Sequence, residues 1–167
     1  MTDFAAGALP DILLRDLETG DAGWLIQRHA ELYARDEGFD QSFEALVAEI
    51  LADFIRNRRP QERAWIAVRD GQRLGSVFCV RQDDETAKLR LFLLEPEARG
   101  QGLGRRLLEA CIDHARAQGF RKLVLWTHAS HRAACALYAA RGFVLTASTA
   151  KVSFGVPVVE QSWELAL

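Results

Sequence analysis

The 167 residues, 49% hydrophobic and 26% charged, have the size and make-up of one ordinary globular domain, which excludes a fibrous, repetitive or disordered chain. A net charge of -2 lacks the strongly basic footprint of a nucleic-acid-binding domain, so no nucleic-acid partner is expected. The cysteines Cys79, Cys111 and Cys135 have no paired metal-ligand spacing, and read as reduced, buried thiols with no metal expected.

In chain order, Met1 to Pro10 lacks the basic flank and apolar run of a signal peptide, and no stretch reaches membrane-spanning length. A cytoplasmic protein without membrane contact is expected. Ile12 to Leu17 reads as a first strand. Thr19 or Asp21 is placed to cap a helix running to about Tyr33, on which Leu25, His29 and Leu32 share a face. Arg35 to Gly38 breaks that pattern. A second helix from Ser42 to Asn57 is expected to bury Phe43, Leu46, Val47, Ile50, Leu51 and Phe54. The basic run Arg56 to Pro60 reads as its solvated end. Trp65 to Arg69 and Leu74 to Arg81 then alternate around Asp70-Gly71, a hairpin signal.

The stretch Lys88 to Leu108 carries the most information. Leu89, Leu91 and Leu93 alternate with Lys88, Arg90 and Phe92 at the period of a strand, and Pro96 closes it. From Leu103 the apolar residues Leu107, Leu108, Cys111, Ile112 and Ala115 recur at helical spacing. Gly100, Gly102 and Gly104 therefore lie where the first helical amides have no backbone partner, a site suited to a phosphate at the positive end of a helix dipole. Arg99, Arg105 and Arg106 add charge there. The glycines do not read G-x-G-x-x-G, and the next strand ends Leu125-Trp126-Thr127-His128 without the acid that holds a dinucleotide ribose. Nor does Gly-Lys followed by Ser or Thr occur, which sets aside a nucleotide-hydrolase loop. Downstream, Gly119 suits a helix end, Leu123 to Trp126 is a strand, Ser130 is placed to cap a helix bearing Tyr138, and Phe143 to Ser148 and Ser162 to Leu167 are late strands.

What remains, Arg99-x-x-Gly102-x-Gly104 shortly after Leu94-Glu95-Pro96, resembles the acetyl-CoA-binding motif of the GNAT acetyltransferases. Ala133 to Phe143, with Tyr138 and a closing Gly142-Phe143, is similar to the family's second signature. Gln27 to Tyr33, Ser42 to Leu46, Ala87 to Leu91, Ser153 to Gly155 and Gln161 to Leu165 resemble a bacterial GNAT subgroup often fused behind a winged-helix MarR-type regulator; no regulator segment is read in these residues. The resemblance implies an α/β fold with a mixed central sheet flanked by helices, order βααβββαβαββ, as a single domain over 1–167. It also implies acetyl-CoA as co-substrate and an N-acetyltransferase whose acceptor is an amine of a small molecule or protein. By that resemblance Phe92, Leu93, Leu94, Arg99, Gly100, Gln101, Gly102, Leu103, Gly104 and Arg105 hold the cofactor, with the Leu94 backbone on the pantetheine arm, and Tyr138 is the acid near the sulfur. Relatives often carry asparagine where this chain has His131, which either keeps that hydrogen bond to the cofactor or faces water. Some carry a glutamate base where this chain has Lys88.

Acetyl transfer needs a neutral amine, yet an alkylammonium titrates near 10.4, so a base or a water chain ending in one must take a proton. His29, Glu31 and Glu37, on the first helix and its following loop, qualify by chemistry. Trp24 and Tyr33 are candidates for the acceptor pocket, together with Phe39. Lys88 and Arg90 share a strand face, and either point to an acceptor with a carboxylate or another anionic group or pair with acids from neighbouring elements. Cys135 lacks an evident activating partner, which favours direct transfer over an acetyl-cysteine route. A non-catalytic acyl-CoA sensor is the competing class.

Overall fold

The computed structural model describes residues 11–167, so the expectation for Met1 to Pro10 lies outside the described residues. β1 (Leu13–Arg15) leads to α1 (Asp21–Glu37) and α2 (Gln41–Asn57), followed by β2 (Arg63–Arg69), β3 (Gln72–Arg81) and β4 (Thr86–Leu94). After a single turn of 3-10 helix come α3 (Leu103–Ala117), β5 (Lys122–His128), α4 (Arg132–Ala140), β6 (Val144–Ser153) and β7 (Val156–Ala166). This is the expected βααβββαβαββ order. The strands form one seven-stranded sheet, β1-β2-β3-β4-β5-β7-β6, antiparallel except where β4 meets β5. No helix among the described residues is long and apolar enough to cross a membrane.

Each face of the sheet buries its own pair of helices. Leu25, Leu32, Val47, Leu51 and Phe54 of α1 and α2 pack on Ile66, Phe78 and Leu93. Leu103, Leu107, Cys111 and Ala115 of α3, with Tyr138 of α4, pack on Val77, Ala87, Leu89, Leu123 and Leu125. Apolar residues at helical spacing on one side and at strand spacing on the other make these contacts possible.

The middle of β4 departs from simple alternation. Leu91 takes a left-handed φ of 49°, which costs a branched L-residue about 1 to 2 kcal/mol, and the pairing with β3 shifts register between Ser76 and Phe78. This is a bulge. Leu89 therefore packs with the α3 and α4 cluster, whereas Leu91 and Leu93 pack with α1 and α2. Strict alternation would have kept the three leucines together. The bulge instead turns Phe92 and Leu94 towards the α3 side, away from Lys88 and Arg90. Parallel pairing of β4 with β5 covers only Thr86, Ala87 and Lys88 against Lys122, Leu123 and Val124. Beyond those residues the two strands diverge.

Other expectations also need correction. Gly20, at φ 94°, is the residue before α1 and makes no side-chain cap. Asp21 lies inside the first turn, fully buried, where it accepts from the Glu18 amide, Arg15 and Arg73. Burial pushes its carboxyl up, but Arg15, the Glu18 amide and Arg73 together hold it below the usual range. Helix α1 continues past Tyr33 to Glu37, so Glu37 ends the helix instead of lying in a loop. Ser130 does not cap α4; His131 occupies that position and the Ser130 hydroxyl donates to Glu37. β6 and β7 form one long hairpin turning at Phe154-Gly155, whose tip accepts a hydrogen bond from the Asp40 amide at the α1–α2 junction. Leu46 is exposed and Ile50 only half-buried; both border a cleft instead of filling the core.

Candidate active site

The gap between β4 and β5 opens into a cleft of about 920 Å³. One end is built by the turn into α3. None of the backbone amides from Gly100 to Arg105 has a hydrogen-bond partner among the described residues, as expected for a first helical turn. Gly100 and Gly102 hold φ of 75° and 82°, and a Cβ built on either would meet nothing within 4 Å. The turn thus presents free donors to open space, the arrangement an anionic diphosphate requires. Gly104 is confined for another reason: a Cβ there would lie 3.1 Å from Leu94.

Arg99, Arg105 and Arg132 border this end of the cleft; sequence patterns did not single out Arg132. Arg106 turns away and donates to the Ile12 carbonyl at 2.7 Å. Two side chains expected at the cofactor also point elsewhere. Gln101 donates to the Glu97 carbonyl and Leu103 is buried in the core, so only their amides belong to the cradle.

Phe92, Leu93, Leu94, Leu137 and Tyr138 form the middle of the cleft. Tyr138 is 3% exposed, with its ring among Phe92, Phe143 and Trp163. Desolvation pushes its phenol well above the ordinary value, so it remains a neutral donor at pH 7. Cys135, one turn earlier on α4, is also pushed up by burial, and its thiol faces the His128 carbonyl and Gln161. It is no activated thiolate.

The opposite end of the cleft is built from α1, α2 and the β6–β7 hairpin. Glu37 accepts from Ser130 at 2.9 Å and lies 3.3 Å from His131 Nε2. Burial lowers the His131 pKa, against the pull of Glu37. His131 Nδ1 lies 3.4 Å from the Thr127 hydroxyl, and its ring meets Tyr33 edge-on at 5.1 Å. Its partners are therefore protein groups beside the cleft, and its side chain stays 20% exposed there. Tyr33 lies in a cluster with Phe39, Phe43 and Phe154, and burial raises its phenol to about 12. Phe39 is buried in that cluster. His128 ends β5 and borders the cleft.

His29 also reaches the cleft, but its Nδ1 is bound to the Leu25 carbonyl at 2.7 Å and burial lowers its pKa to about 4. It is a poor proton acceptor at neutral pH. Trp24 does not border the cleft; it packs on α1's own core face with the Arg73 guanidinium near its ring. Glu31 is exposed and paired with Gln27 and Arg28, and does not line the cleft either. A contact unread in the sequence holds α1 in place: Arg28 grips Glu95, just beyond β4, with both carboxylate oxygens at 2.6 and 2.7 Å.

Lys88 and Arg90 point into the same cleft. Burial and the neighbouring Arg90 lower Lys88 from 10.5 to about 8, and burial lowers Arg90. The Lys88 ammonium stands 3.7 Å from the centroid of the Trp126 ring, an exposed aromatic that no sequence pattern had marked.

Residues 25–143 match the model of the acetyltransferase (GNAT) family. The chain belongs to this family. Among its relatives, a mycothiol acetyltransferase from Cellulomonas flavigena is 32% identical over 102 residues, which cover 55% of this chain but only 29% of that protein. Among solved structures, a GCN5-related N-acetyltransferase from Kribbella flavida superposes with a TM-score of 0.78 at 23% identity, covering 96% of this chain and all (100%) of the other. The Salmonella typhimurium protein yncA, solved with its cofactor acetyl-CoA, superposes with a TM-score of 0.76 at 20% identity over 93% and 94% of the two chains. At these identities the structural likeness concerns the fold. The matched residues include the α3 turn with its free amides, the diverging strands and Tyr138.

For this GNAT chain, Gly102→Val should cost at least tenfold in acetyl-CoA affinity, because a branched side chain would enter the open space before the amides and resist the left-handed turn. Calorimetric titration checks this, and parental affinity in a folded variant would contradict it. Lys88→Met should raise the unfolding free energy at pH 7 by about 1 to 2 kcal/mol, because the fold disfavours the charged lysine. The folded pKa of about 8 lies below the ordinary 10.5, so that penalty is fully present below pH 8 and fades as both states lose the proton towards pH 10.5. Denaturant melts at pH 7 and pH 10 should show the gain shrinking.

Proposed function

We propose that the protein transfers an acetyl group from acetyl-CoA directly to an amine of a small molecule or protein. The observation that carries this reading is the alignment of three features in one cleft: unpartnered amides at the α3 turn, strand edges exposed by the β4–β5 divergence, and the neutral phenol of Tyr138 beside Phe92. The relative yncA, solved with acetyl-CoA, supports the choice of co-substrate. In this reading the amides from Gly100 to Arg105 hold the diphosphate, Arg99 and Arg105 offset its charge, and the backbone of Leu93 and Leu94 receives the pantetheine arm in place of a neighbouring strand.

The proton balance follows from the two ends of the cleft. Glu37, held by Ser130 and facing His131, takes the ammonium proton through solvent. Tyr138 lies seven residues along α4 from His131, about 10 Å at the helical rise, so a water relay fits better than direct contact. As the amine attacks the thioester carbonyl, a tetrahedral oxyanion forms; its nitrogen then loses its extra proton to the same water relay, and the carbon–sulfur bond breaks to leave neutral amide and CoA thiolate. Tyr138 donates a hydrogen bond to that sulfur. Because its pKa is raised above that of a thiol, it stabilises the thiolate more than it protonates it. A non-catalytic acyl-CoA sensor would need the cradle but neither the neutral phenol at the cleft nor a carboxylate at its far end.

Release of free CoA thiol over a panel of amines tests the activity. Tyr138→Phe should keep the fold and the affinity for acetyl-CoA while lowering kcat about 10²-fold, the lower part of the range for acid assistance. Unchanged turnover with chemistry rate-limiting would leave Tyr138 as a packing residue. Glu37→Gln should lower kcat/KM at pH 7 and reduce its deficit as the pH rises towards the pKa of the free amine, since more amine then arrives deprotonated. A deficit constant from pH 7 to pH 10 would remove Glu37 from the proton path.

A further inference from the structure

Lys88 and Arg90 are half-buried to buried cations with no ion pair or hydrogen bond to another residue among the described residues. The acids nearest to them are already engaged. Asp53 accepts from Asn57 at 2.8 Å, Glu62 accepts from the amides of Arg59 and Arg81, and Glu160 pairs with Lys151 at 3.1 Å. Two like charges on one strand face, desolvated and repelling one another, are a cost that an internal salt bridge would have removed.

Both cations, with Ile50, line the large cleft and also a neighbouring pocket of about 220 Å³, where Asp53 and Glu62 stand on the wall away from the cleft. The two cations stand at the junction, on the α1 and α2 side of the sheet. Trp126 gives Lys88 a flat wall, holding the ammonium by its ring face. Arg90 supplies a planar fork and Lys88 a point charge, a combination that fits a carboxylate. The surrounding Leu46, Ile50, Leu91 and Trp126 make a dianion far more costly to desolvate than a monoanion, since solvation cost grows with the square of charge.

We propose that Lys88, Arg90 and Trp126 form an acceptor subsite for a carboxylate, so that the amine acetylated by this protein carries a monoanionic group at its other end. This deepens the transfer reading above and rests on it. Along β4 the two cations lie about 7 and 13 Å from Phe92, where the ring faces Tyr138, at the rise of a strand. Several atoms must therefore separate amine from carboxylate.

The test uses matched probes: 5-aminopentanoate, pentylamine, pentane-1,5-diamine and 3-aminopropyl phosphate as acceptors, and pentanoate as a non-reacting ligand. CoA release should favour 5-aminopentanoate over pentylamine and the diamine by about tenfold to a hundredfold in kcat/KM. That ratio should collapse in Lys88→Gln and Arg90→Gln and partly return in Arg90→Lys, with thermal melts confirming that the variants fold. Pentanoate should shift the indole NMR signal of Trp126 in the parent and not in the two glutamine variants. If no amine releases CoA but pentanoate still binds and is lost in the variants, the transfer reading fails and the carboxylate subsite stands. If amines are acetylated with no carboxylate preference, or with a ratio the variants leave intact, the subsite fails and the transfer reading stands. Preference for the diamine, or for the phosphate over the carboxylate, overturns the assignment.

Discussion

The divergence of β4 from β5 is the constraint on which the rest of the site depends. A parallel pair that stayed in register would satisfy its own amides and carbonyls and leave nothing for a ligand. Here the pairing stops at Lys88 and Val124, while β4 remains bonded to β3 as far as Leu94 and β5 remains bonded to β7 through His128. The two halves of the sheet are each stable, and the open seam between them presents unpaired backbone. The bulge at Leu91 completes the arrangement. The left-handed leucine, its carbonyl held by the Ser76 hydroxyl at 2.7 Å, lets one strand offer Lys88 and Arg90 to one side and Phe92 and Leu94 to the other.

Helix α1 has to be fixed for that seam to work, since it carries one wall of the cleft. It is tied at its start by Asp21 to Arg15 and Arg73, in its middle by Arg28 to Glu95, and at its end by Glu37 to Ser130. The first two ties lie on the same side of the seam, joining α1 to strands β1, β3 and the end of β4. The third crosses the seam to the start of α4. The aromatic cluster of Tyr33, Phe39, Phe43 and Phe154 then closes the far end, with the β6–β7 hairpin docked on the α1–α2 junction.

Electrostatically the cleft is graded from one end to the other. Free amides and arginines gather at the α3 turn, a neutral phenol lies in the middle, and two cations without an ion pair among the described residues stand with Trp126 towards the far end, where carboxylates and histidines also line the cleft. Burial drives this pattern. It keeps Tyr138 protonated, lowers His29 and His131, and reduces the hold of Lys88 on its proton. A site that stores such groups is less stable than a core of the same size would be, and its stability comes from the two apolar clusters on either side of the sheet.

The order of elements, the glycine turn and the tyrosine-bearing helix were all legible in the chain, because each depends on local chemistry. Alternation marks strands, helical spacing marks helices, and Gly100, Gly102 and Gly104 stand where a left-handed turn and close approach exclude side chains. The wider features were not. Strict alternation in β4 concealed the bulge at Leu91, since a change of face has no signature in hydrophobicity. β6 is exposed along nearly its whole length, so beyond Ser148 it lacks the half-buried rhythm by which strands are recognised, and the hairpin tip that places Phe154 against Phe39 and Phe43 went unread. Trp24, Glu31 and His29 were plausible by residue type, but a helix face has no direction until something packs on it. The sequence by itself determined which segments fold into which elements and where an anion would find free amides. Only the tertiary structure decided which side chains meet, Glu37 with His131 and Lys88 with Trp126 across the seam and Arg28 with Glu95 beside it, because those meetings depend on how the strands and helices pack and not on any spacing along the chain.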